Sequence, residues 1–285
     1  RPQESRYSSF LLHGIPFSAW EVRHQQRSSI ALLTLFDPES LKNEEISGRY
    51  RYILLHSLAN KRMYSHLHGY DFIIDFGSWD TSRPVAWSKL KAMQQALLNY
   101  EWVVWMDIDT LVMNMEPPLE LLADHAYDVV MTADGSGPNT GVWMARASQW
   151  STDLLIQAWN QVQFLNETDV YEQRAVRHVM GLHAREEVET HVKILPQRAM
   201  NSYTKFHERY GHHAYQPGEF VVHFAGCRHI LDCDAYMNRV FHLFYSNSRA
   251  HYEYLLHLRG GQDALDARMM EAVRAVRPPP ETFIP

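Results

Sequence analysis

Two carboxylates follow a run of apolar residues in the segment EWVVWMDIDTLVMN (residues 101–114). Asp107 and Asp109 are separated by one residue, and in an extended turn this spacing lets both carboxylates approach one ion. Hard oxygen ligands suit Mg²⁺ or Mn²⁺, which in turn bind phosphate oxygens. A divalent cation on a diphosphate neutralises the charge that builds up when the diphosphate leaves. By itself, the pair is also compatible with one aspartate capping a turn and the other being solvated.

A histidine offers a third ligand. The segment FVVHF (residues 220–224) is predicted to be a buried strand, which would place His223 near its end. An imidazole there could complete a metal site with the two carboxylates if both strands end at the same rim of a sheet. The alternative is a core histidine that is hydrogen-bonded to the backbone.

Short apolar segments alternate with amphipathic segments along the chain. Predicted strands cover residues 30–36, 71–75, 102–107, 128–132, 142–145, 192–196 and 220–224. Predicted helices cover residues 47–68, 83–100, 149–164, 170–180, 235–258 and 263–276. This alternation is typical of an α/β domain with a mostly parallel central sheet flanked by helices. Ligands in such folds bind beyond the carboxyl ends of the strands, which is where Asp107 and Asp109 are expected.

The chain divides into three predicted parts. Residues 1–29 lack periodicity and form an irregular N-terminal arm, and residues 30–234 hold the α/β domain. Residues 235–285 form a helical extension that packs on the same domain. The segment ADGSGPNTG (residues 133–141) is predicted to be a loop between two strands, because of its glycines and proline.

Composition excludes several classes of protein. The formal net charge of −6 argues against a general nucleic-acid binder, which needs a basic face. No apolar run approaches the roughly 20 residues that a membrane-spanning helix needs. The chain begins at Arg1 rather than Met, so the absence of a signal peptide or membrane anchor from this sequence proves little. The sequence contains no P-loop, no G-x-G-x-x-G after the first strand, no G-x-S-x-G and no H-E-x-x-H.

Two cysteines, Cys227 and Cys233, are too few for a zinc site of their own. Free thiols in a reducing compartment and a short-loop disulfide in the secretory pathway both stay open at this point. A sequon at Asn166 (Asn-Glu-Thr) agrees with the secretory alternative.

Six separated stretches match one known family in order, over roughly residues 50–228: HSLANKRMYSHLHGYDF, RPVAWSKLKAMQQAL, EWVVWMDIDTLVMN, NTGVWMARASQWSTDLL, EQRA and FVVHFAGC. Through them the chain resembles the retaining α-glycosyltransferases that group fungal α-mannosyl- and α-galactosyltransferases with plant xyloglucan xylosyltransferases. The resemblance implies a GT-A fold with a D-x-D motif. It also implies a sugar-nucleotide donor that is held through Mn²⁺, with Mg²⁺ as the alternative ion.

The resemblance also implies roles for individual residues. Asp109 is the main carboxylate ligand, Asp107 assists through the metal or the ribose of the donor, and His223 completes the protein ligands. The residues implied in donor binding are Lys89, Asp107, Asp134, Asn139, Gly141 and Arg228. Arg228 stands where the family often has Lys, which keeps the positive charge toward the diphosphate. For Lys89, the alternative is a solvated lysine on a helix.

Glu172 and Gln173 stand where the family often has Asp-Gln, so both are implied as catalytic residues. Gln173 is a poor nucleophile, but its amide could stabilise or orient an oxocarbenium-like state, while Glu172 could bind hydroxyl groups. The expected mechanism is attack on the same face of the sugar, with the leaving phosphate taking the proton of the acceptor.

The resemblance therefore implies a retaining α-glycosyltransferase, with an N-terminal membrane anchor ahead of Arg1, that moves a hexose, mannose or galactose first, to a glycan acceptor. The donor is expected to be GDP-mannose, UDP-galactose or UDP-xylose. The family also implies a type II protein of the Golgi membrane with its catalytic domain in the lumen, a Cys227–Cys233 disulfide and a glycan on Asn166. Homo- or hetero-oligomerisation stays open. The alternatives are a noncatalytic glycan-binding or complex subunit with the same fold and, last, a metal-dependent phosphohydrolase.

Overall fold

The structure is a computed structural model that describes residues 10–12, 15–17, 29–36, 48–76, 80–167, 170–227 and 240. The strands are β1 (Phe10–Leu12), β2 (Ile15–Phe17), β3 (Ile30–Leu35), β4 (Asp71–Asp75), β5 (Trp102–Met106), β6 (Thr110–Val112), β7 (Val129–Asp134), β8 (Gly137–Arg146), β9 (Val192–Leu195), β10 (Ser202–Tyr203) and β11 (Val221–His223). The helices are α1 (Gly48–His68), α2 (Ser88–Ala96), α3 (Gln149–Trp159), α4 (Glu172–Met180) and α5 (Arg185–His191). Single turns of 3₁₀ helix cover Val85–Trp87, Leu119–Leu121, Val162–Phe164 and Gln197–Ala199, and a longer one covers Lys205–Tyr210.

A six-stranded sheet in the order β4-β3-β5-β8-β7-β9 forms the centre of the domain. β3 pairs in parallel with β4 and with β5, and β7 pairs in parallel with β9. Only β8 runs antiparallel to its two neighbours, β5 and β7. The predicted fold class, a mostly parallel central sheet flanked by helices, is therefore confirmed.

Strand β5 is buried on both faces, which explains its apolar sequence. Trp102, Val104 and Met106 belong to a core that also contains α1 residues. Val103 and Trp105 point to the other side, into a core built with α2, α3 and α4. Because the strand is fixed by two cores, the two aspartates that follow it start from a rigid position.

The prediction of a loop at residues 133–141 is wrong, because most of this segment is strand. β7 continues to Asp134, and β8 already begins at Gly137, whose φ of 108° favours glycine. Residues 137–139 of β8 pair with residues 132–134 of β7, and this pairing overrides the local loop signal. Asn139 and Gly141 consequently lie two residues apart on one strand.

A second correction concerns His223. Its strand, β11, does not belong to the central sheet but to a three-stranded sheet in the order β10-β11-β6. β11 pairs antiparallel with β6, and His223 lies opposite Thr110. Because β6 begins directly after Asp109, this pairing still brings His223 to the two aspartates.

The flanking segments are described only in part. Within the arm predicted as irregular, β1 and β2 form an antiparallel pair. The predicted helical tail, apart from residue 240, lies outside the described residues, so the three-part division stays a prediction.

Candidate active site

A cavity of about 620 Å³ opens where β3 and β5 end. Its wall is formed by the starts of α2 and α4, the β7–β8 hairpin, the turn after β5 and the segment from Tyr203 to Gly226. Nine of the residues predicted from the sequence line it: Lys89, Asp107, Asp109, Asp134, Asn139, Gly141, Glu172, Gln173 and His223. The volume falls in the range of sites for small molecules and cofactors.

Asp107, Asp109 and His223 form a triangle of ligand atoms at this cavity. His223 Nε2 lies 3.4 Å from Asp109 Oδ1 and 3.9 Å from Asp107 Oδ2. The three ligand atoms all lie within 4.8 Å of one another. Two backbone bonds fix the triangle: Asp107 N–H donates to the carbonyl of Gly141 (2.8 Å), and Phe224 N–H donates to the carbonyl of Asp109 (2.9 Å).

The hydrogen bonds of His223 test whether the triangle fits a cation. His223 Nδ1 lies 2.8 Å from Asn201 Oδ1, and the amide nitrogen of Asn201 donates to Asn139 Oδ1 (2.8 Å) and to Thr132 Oγ1 (3.3 Å). Because the Asn201 oxygen must accept, His223 carries its proton on Nδ1 and turns the Nε2 lone pair toward the carboxylates. Three acceptor atoms then face one another, so a proton or a cation must bind between them. The residues therefore fit a divalent metal ion.

Gly141 provides the space for His223. A Cβ on Gly141 would lie 2.3 Å from Cε1 of His223, 2.7 Å from its Nδ1 and 2.9 Å from Asn139 Oδ1. Asn139 Oδ1 itself accepts from the Gly141 N–H at 2.8 Å. The NTG motif therefore lines the cavity and also leaves room for the imidazole of the metal triangle, the name used below for Asp107, Asp109 and His223.

Asp107 is oriented by two groups on one of its oxygens. Trp105 Nε1 donates to Asp107 Oδ1 at 2.7 Å, and Lys89 Nζ lies 3.0 Å from the same atom. This arrangement leaves Oδ2 to face His223. Sequence reasoning missed Trp105 and Asn201 as members of the site.

Lys89 is buried and contacts two carboxylates. Its ammonium lies 2.6 Å from Glu172 Oε1 and donates to the carbonyl of Thr140 at 3.0 Å. Burial lowers the pKa of Lys89, but the carboxylates of Asp107 and Glu172 outweigh that effect, and the pKa rises above its usual value. Lys89 is therefore a buried, charged residue that lines the cavity, and the alternative of a solvated lysine on a helix is wrong.

Replacing Lys89 by Met is expected to destabilise the protein, because it leaves the buried carboxylate of Glu172 without its cation. Removing one partner of a buried ion pair typically costs about 3–5 kcal/mol in the free energy of unfolding. The melting temperature should fall by roughly 6 to 15 °C. Adding Glu172→Gln should recover part of the loss, because it removes the unpaired charge.

Lys91→Met is the matched control, since the Lys91 ammonium bonds the side chain of Gln94 on the same helix. Its melting temperature is expected to stay within about 2 °C of the parent protein. Equal effects of the two lysine substitutions would contradict the ion-pair role of Lys89.

Glu172 and Gln173 reach the cavity from the first turn of α4. Tyr171, just before them, is the one described residue other than glycine with a positive φ, 43°, a strained conformation that turns the chain into the helix. Thr140 holds both side chains: its N–H donates to Gln173 Oε1 (2.8 Å) and its hydroxyl to Glu172 Oε1 (3.0 Å). The oxygen of Gln173 is thereby engaged, so the amide offers its N–H groups to the cavity.

Asp134 forms a polar corner with Asn139 and Tyr203. Asp134 Oδ2 accepts from Asn139 Nδ2 (2.8 Å) and from the Tyr203 hydroxyl (2.7 Å), and Oδ1 accepts from the N–H of Ser136 (2.7 Å). Burial raises the pKa of Asp134, but Tyr203 and the other donors outweigh it and hold the pKa below its usual value. Asp134 is a carboxylate whose oxygens mainly organise this corner.

Three predicted features fall at the edge of the described residues. Arg228 and Cys233 lie outside them, although Gly226, two residues before Arg228, lines the cavity. Cys227 is buried and is not a free thiol, and its pairing with Cys233 stays a prediction. Asn166 is exposed, but Thr168 of its sequon is outside the described residues, so glycosylation also stays a prediction.

Comparison with solved structures identifies the fold. A glycosyltransferase involved in the glycosylation of the major capsid of PBCV-1 has a similar fold, with a TM-score of 0.54 and 18% identity over 74% of this chain and 98% of that one. The fold is thus the GT-A fold of glycosyltransferases.

A sequence model of the galactosyl transferase GMA12/MNN10 family matches residues 26–123 and 120–234. The chain belongs to this family of glycosyltransferases.

The curated relatives span three named activities. An uncharacterised α-1,2-galactosyltransferase of Schizosaccharomyces pombe is 26% identical over 72% of this chain and 63% of its own length. A probable α-1,6-mannosyltransferase, MNN10, of Saccharomyces cerevisiae is 27% identical over 62% of this chain and 56% of its own length. Xyloglucan 6-xylosyltransferase 4 of Arabidopsis thaliana is 33% identical over 38% of this chain and 23% of its own length. The chain therefore matches less than two thirds of each relative.

No helix among the described residues combines the length and the apolar character that crossing a bilayer requires.

Proposed function

We propose that this protein transfers a hexose from a nucleotide-sugar donor to a glycan acceptor, with retention of the anomeric configuration and with Mn²⁺ as cofactor. The observation that carries the proposal is the metal triangle at the cavity: Asn201 turns the lone pair of His223 toward Asp107 and Asp109. Mg²⁺ is the alternative ion, but the imidazole ligand favours Mn²⁺, which accepts nitrogen more readily than the harder Mg²⁺.

Asp107, Asp109 and His223 would hold the cation, and the cation would supply neutralisation of the diphosphate on the donor. Lys89 adds a fixed positive charge on the adjacent wall, 3.0 Å from Asp107 Oδ1. Such preorganised charge lowers the barrier to departure of the diphosphate, because it needs no rearrangement during the reaction.

The reaction exchanges one bond for another at the anomeric carbon. The bond from this carbon to the diphosphate oxygen breaks, the acceptor hydroxyl forms the new bond on the same face, and its proton passes to the leaving phosphate oxygen. The N–H groups of the Gln173 amide donate hydrogen bonds to hydroxyl groups of the donor sugar and so orient the donor. Burial raises the pKa of Glu172, and Lys89 and Thr140 hold its carboxyl group, so its proposed role is to bind hydroxyl groups of the sugar or the acceptor.

The donors favoured are GDP-mannose and UDP-galactose, which carry hexoses, and the alternative is the pentose donor UDP-xylose. The names of the relatives support this choice, since they include a galactosyltransferase, a probable mannosyltransferase and a xylosyltransferase. The same family supports a type II protein of the Golgi membrane with the catalytic domain in the lumen. That compartment would favour the Cys227–Cys233 disulfide and a glycan on Asn166.

The proposal is tested by titrating GDP and UDP calorimetrically with and without Mn²⁺, and by a panel of sugar nucleotides with glycan acceptors. We expect one nucleotide to bind at least about tenfold more tightly with Mn²⁺, a difference of about 1.4 kcal/mol. NMR of the product should show that the α configuration is retained.

Other outcomes would contradict the proposal. Nucleotide binding without transfer to any acceptor would favour a noncatalytic subunit. Release of phosphate that is independent of the acceptor would favour a phosphohydrolase. An inverted product would overturn retention.

A further inference from the structure

Helix α1 presents polar side chains to the free edge of β6, the strand that directly follows Asp109. The Asn60 side chain bonds both backbone groups of Val112, as a neighbouring strand would. Its Nδ2 donates to the carbonyl of Val112 (2.9 Å), and its Oδ1 accepts from the Val112 N–H (2.8 Å). The Ser57 hydroxyl donates to the carbonyl of Thr110 at 2.9 Å. These two residues complete the hydrogen bonds of the strand edge without any charge.

Lys61, the residue after Asn60, is fully buried, with 0% of its surface exposed. Its ammonium donates to the carbonyl of Thr110 at 2.7 Å and also to the Ser57 hydroxyl. Since Ser57 already donates to the same carbonyl, β6 needs only a neutral donor there. A buried ammonium is a costly choice for that task, so its charge calls for a separate explanation.

The charge has partners in the metal triangle. Burial lowers the pKa of Lys61 to about 7, while Asp109 first and Asp107 second oppose that effect. Thr110 directly follows Asp109, so the ammonium of Lys61 bonds the chain one residue from this carboxylate. Asp107 has its own cation, Lys89, on Oδ1.

We propose that Lys61 is a positioning residue of the metal centre: its buried ammonium, bonded to the carbonyl that follows Asp109, is an internal counter-charge that holds this carboxylate in place before the metal binds. The inference rests on the proposed metal site. The positive charge of Lys61 also repels a metal cation bound by these ligands. Lys61 would therefore make metal binding weaker than it would be with an uncharged residue at this position.

The test compares Lys61→Met with Ser57→Ala at about pH 6, where Lys61 is charged. Without metal, the melting temperature of K61M should fall by roughly 6 to 15 °C. Saturating Mn²⁺ should raise it by more than it raises the parent protein. Mn²⁺ measured by electron paramagnetic resonance should bind K61M roughly threefold to tenfold more tightly.

S57A removes a donor to the same carbonyl and changes no charge. Its melting temperature should fall by the same amount with and without Mn²⁺, and its Mn²⁺ affinity should match the parent protein. If K61M behaves in this way as well, Lys61 is only a structural hydrogen-bond donor, and the proposal is overturned.

A double variant separates this proposal from the metal site itself. In K61M/D109N the ammonium and its carboxylate are removed together, so the loss of melting temperature without metal should be smaller than the sum of the two single losses. The double variant should fold even if K61M alone does not. Additive losses, or failure of the double variant to fold, would overturn the role of Lys61, whether or not the parent protein binds Mn²⁺.

Discussion

Asp109→Asn is expected to lower kcat/KM for sugar transfer by about 10³-fold or more. Neutralisation of a leaving diphosphate by a metal ion contributes several kcal/mol, and each 1.36 kcal/mol is a factor of ten. The substitution removes the negative charge of Asp109 and also changes the hydrogen bonding of His223. The new amide would place an N–H donor about where Asp109 Oδ1 now lies, 3.4 Å from His223 Nε2. A hydrogen bond from this amide would occupy the lone pair that the metal needs.

Asp124→Asn is the control, because it makes the same change at a surface aspartate that bonds Lys193 far from the cavity. Transfer by this variant should stay within about twofold of the parent protein, as for most surface substitutions. Mn²⁺ binding should disappear in D109N and persist in D124N. Transfer by D109N within tenfold of the parent protein would remove Asp109 from the metal site.

The part of the site on β5 could be predicted because its signal is local. Five consecutive apolar residues are buried on both faces, and such a strand belongs in the middle of a sheet. Asp107 and Asp109 follow it directly, so the position of the strand also gives theirs. Trp105 carried a signal that was overlooked, since residues two apart on a strand share a face and Trp105 therefore lies beside Asp107.

The partner of the aspartates could not be placed by periodicity. His223 is 114 positions after Asp109, and only the pairing of β11 with β6 brings them together. Sheet membership depends on such long-range pairing, so the apolar pattern of FVVHF predicts a buried strand but not the sheet to which it belongs. The place of His223 at the end of a predicted strand only suggests a ligand, and the resemblance to the family implies it. Asn201 gave no signal at all, because it lies in an irregular stretch before the two-residue strand β10.

The β7–β8 hairpin shows the opposite failure, in which a local signal was strong but misleading. Glycine and proline at residues 135, 137, 138 and 141 are typical of a loop. Strand β7 nevertheless pairs with residues 137–139, and the carbonyl of Gly141 accepts from the Asp107 N–H, so this pairing decides the conformation. The glycine at position 141 is needed for a side chain that comes from another part of the chain.

Gly141→Ala is therefore expected to damage the site by sterics alone. The backbone at Gly141 does not have the positive φ that favours glycine, so alanine is compatible with the local conformation. The added Cβ would nevertheless lie 2.3 Å from Cε1 of His223. The imidazole is 4% exposed and is held by Asn201, with the Tyr203 ring packed edge-on at 5.5 Å, so it can move only by breaking its contacts.

A displacement of about 1 Å at a reacting site can cost roughly 100-fold in rate, so we expect kcat/KM for G141A to fall by at least that factor. Mn²⁺ affinity should fall by about tenfold or more, as when the residues that orient a metal ligand are changed. The free energy of unfolding should drop by only about 1–3 kcal/mol, the usual cost of overpacking. The expected signature is a loss of metal binding and transfer that is large compared with the loss of stability.

Gly181→Ala provides the comparison, because a Cβ there would meet only the carbonyls of Arg177 and His178 at 3.4 Å, with φ at −72°. Metal binding, transfer and melting temperature should all stay close to those of the parent protein. If G141A instead bound Mn²⁺ as tightly as the parent protein, the imbalance between function and stability would vanish. The cation would then have to be held without His223 in its present position, since the added Cβ and the imidazole cannot occupy the same space.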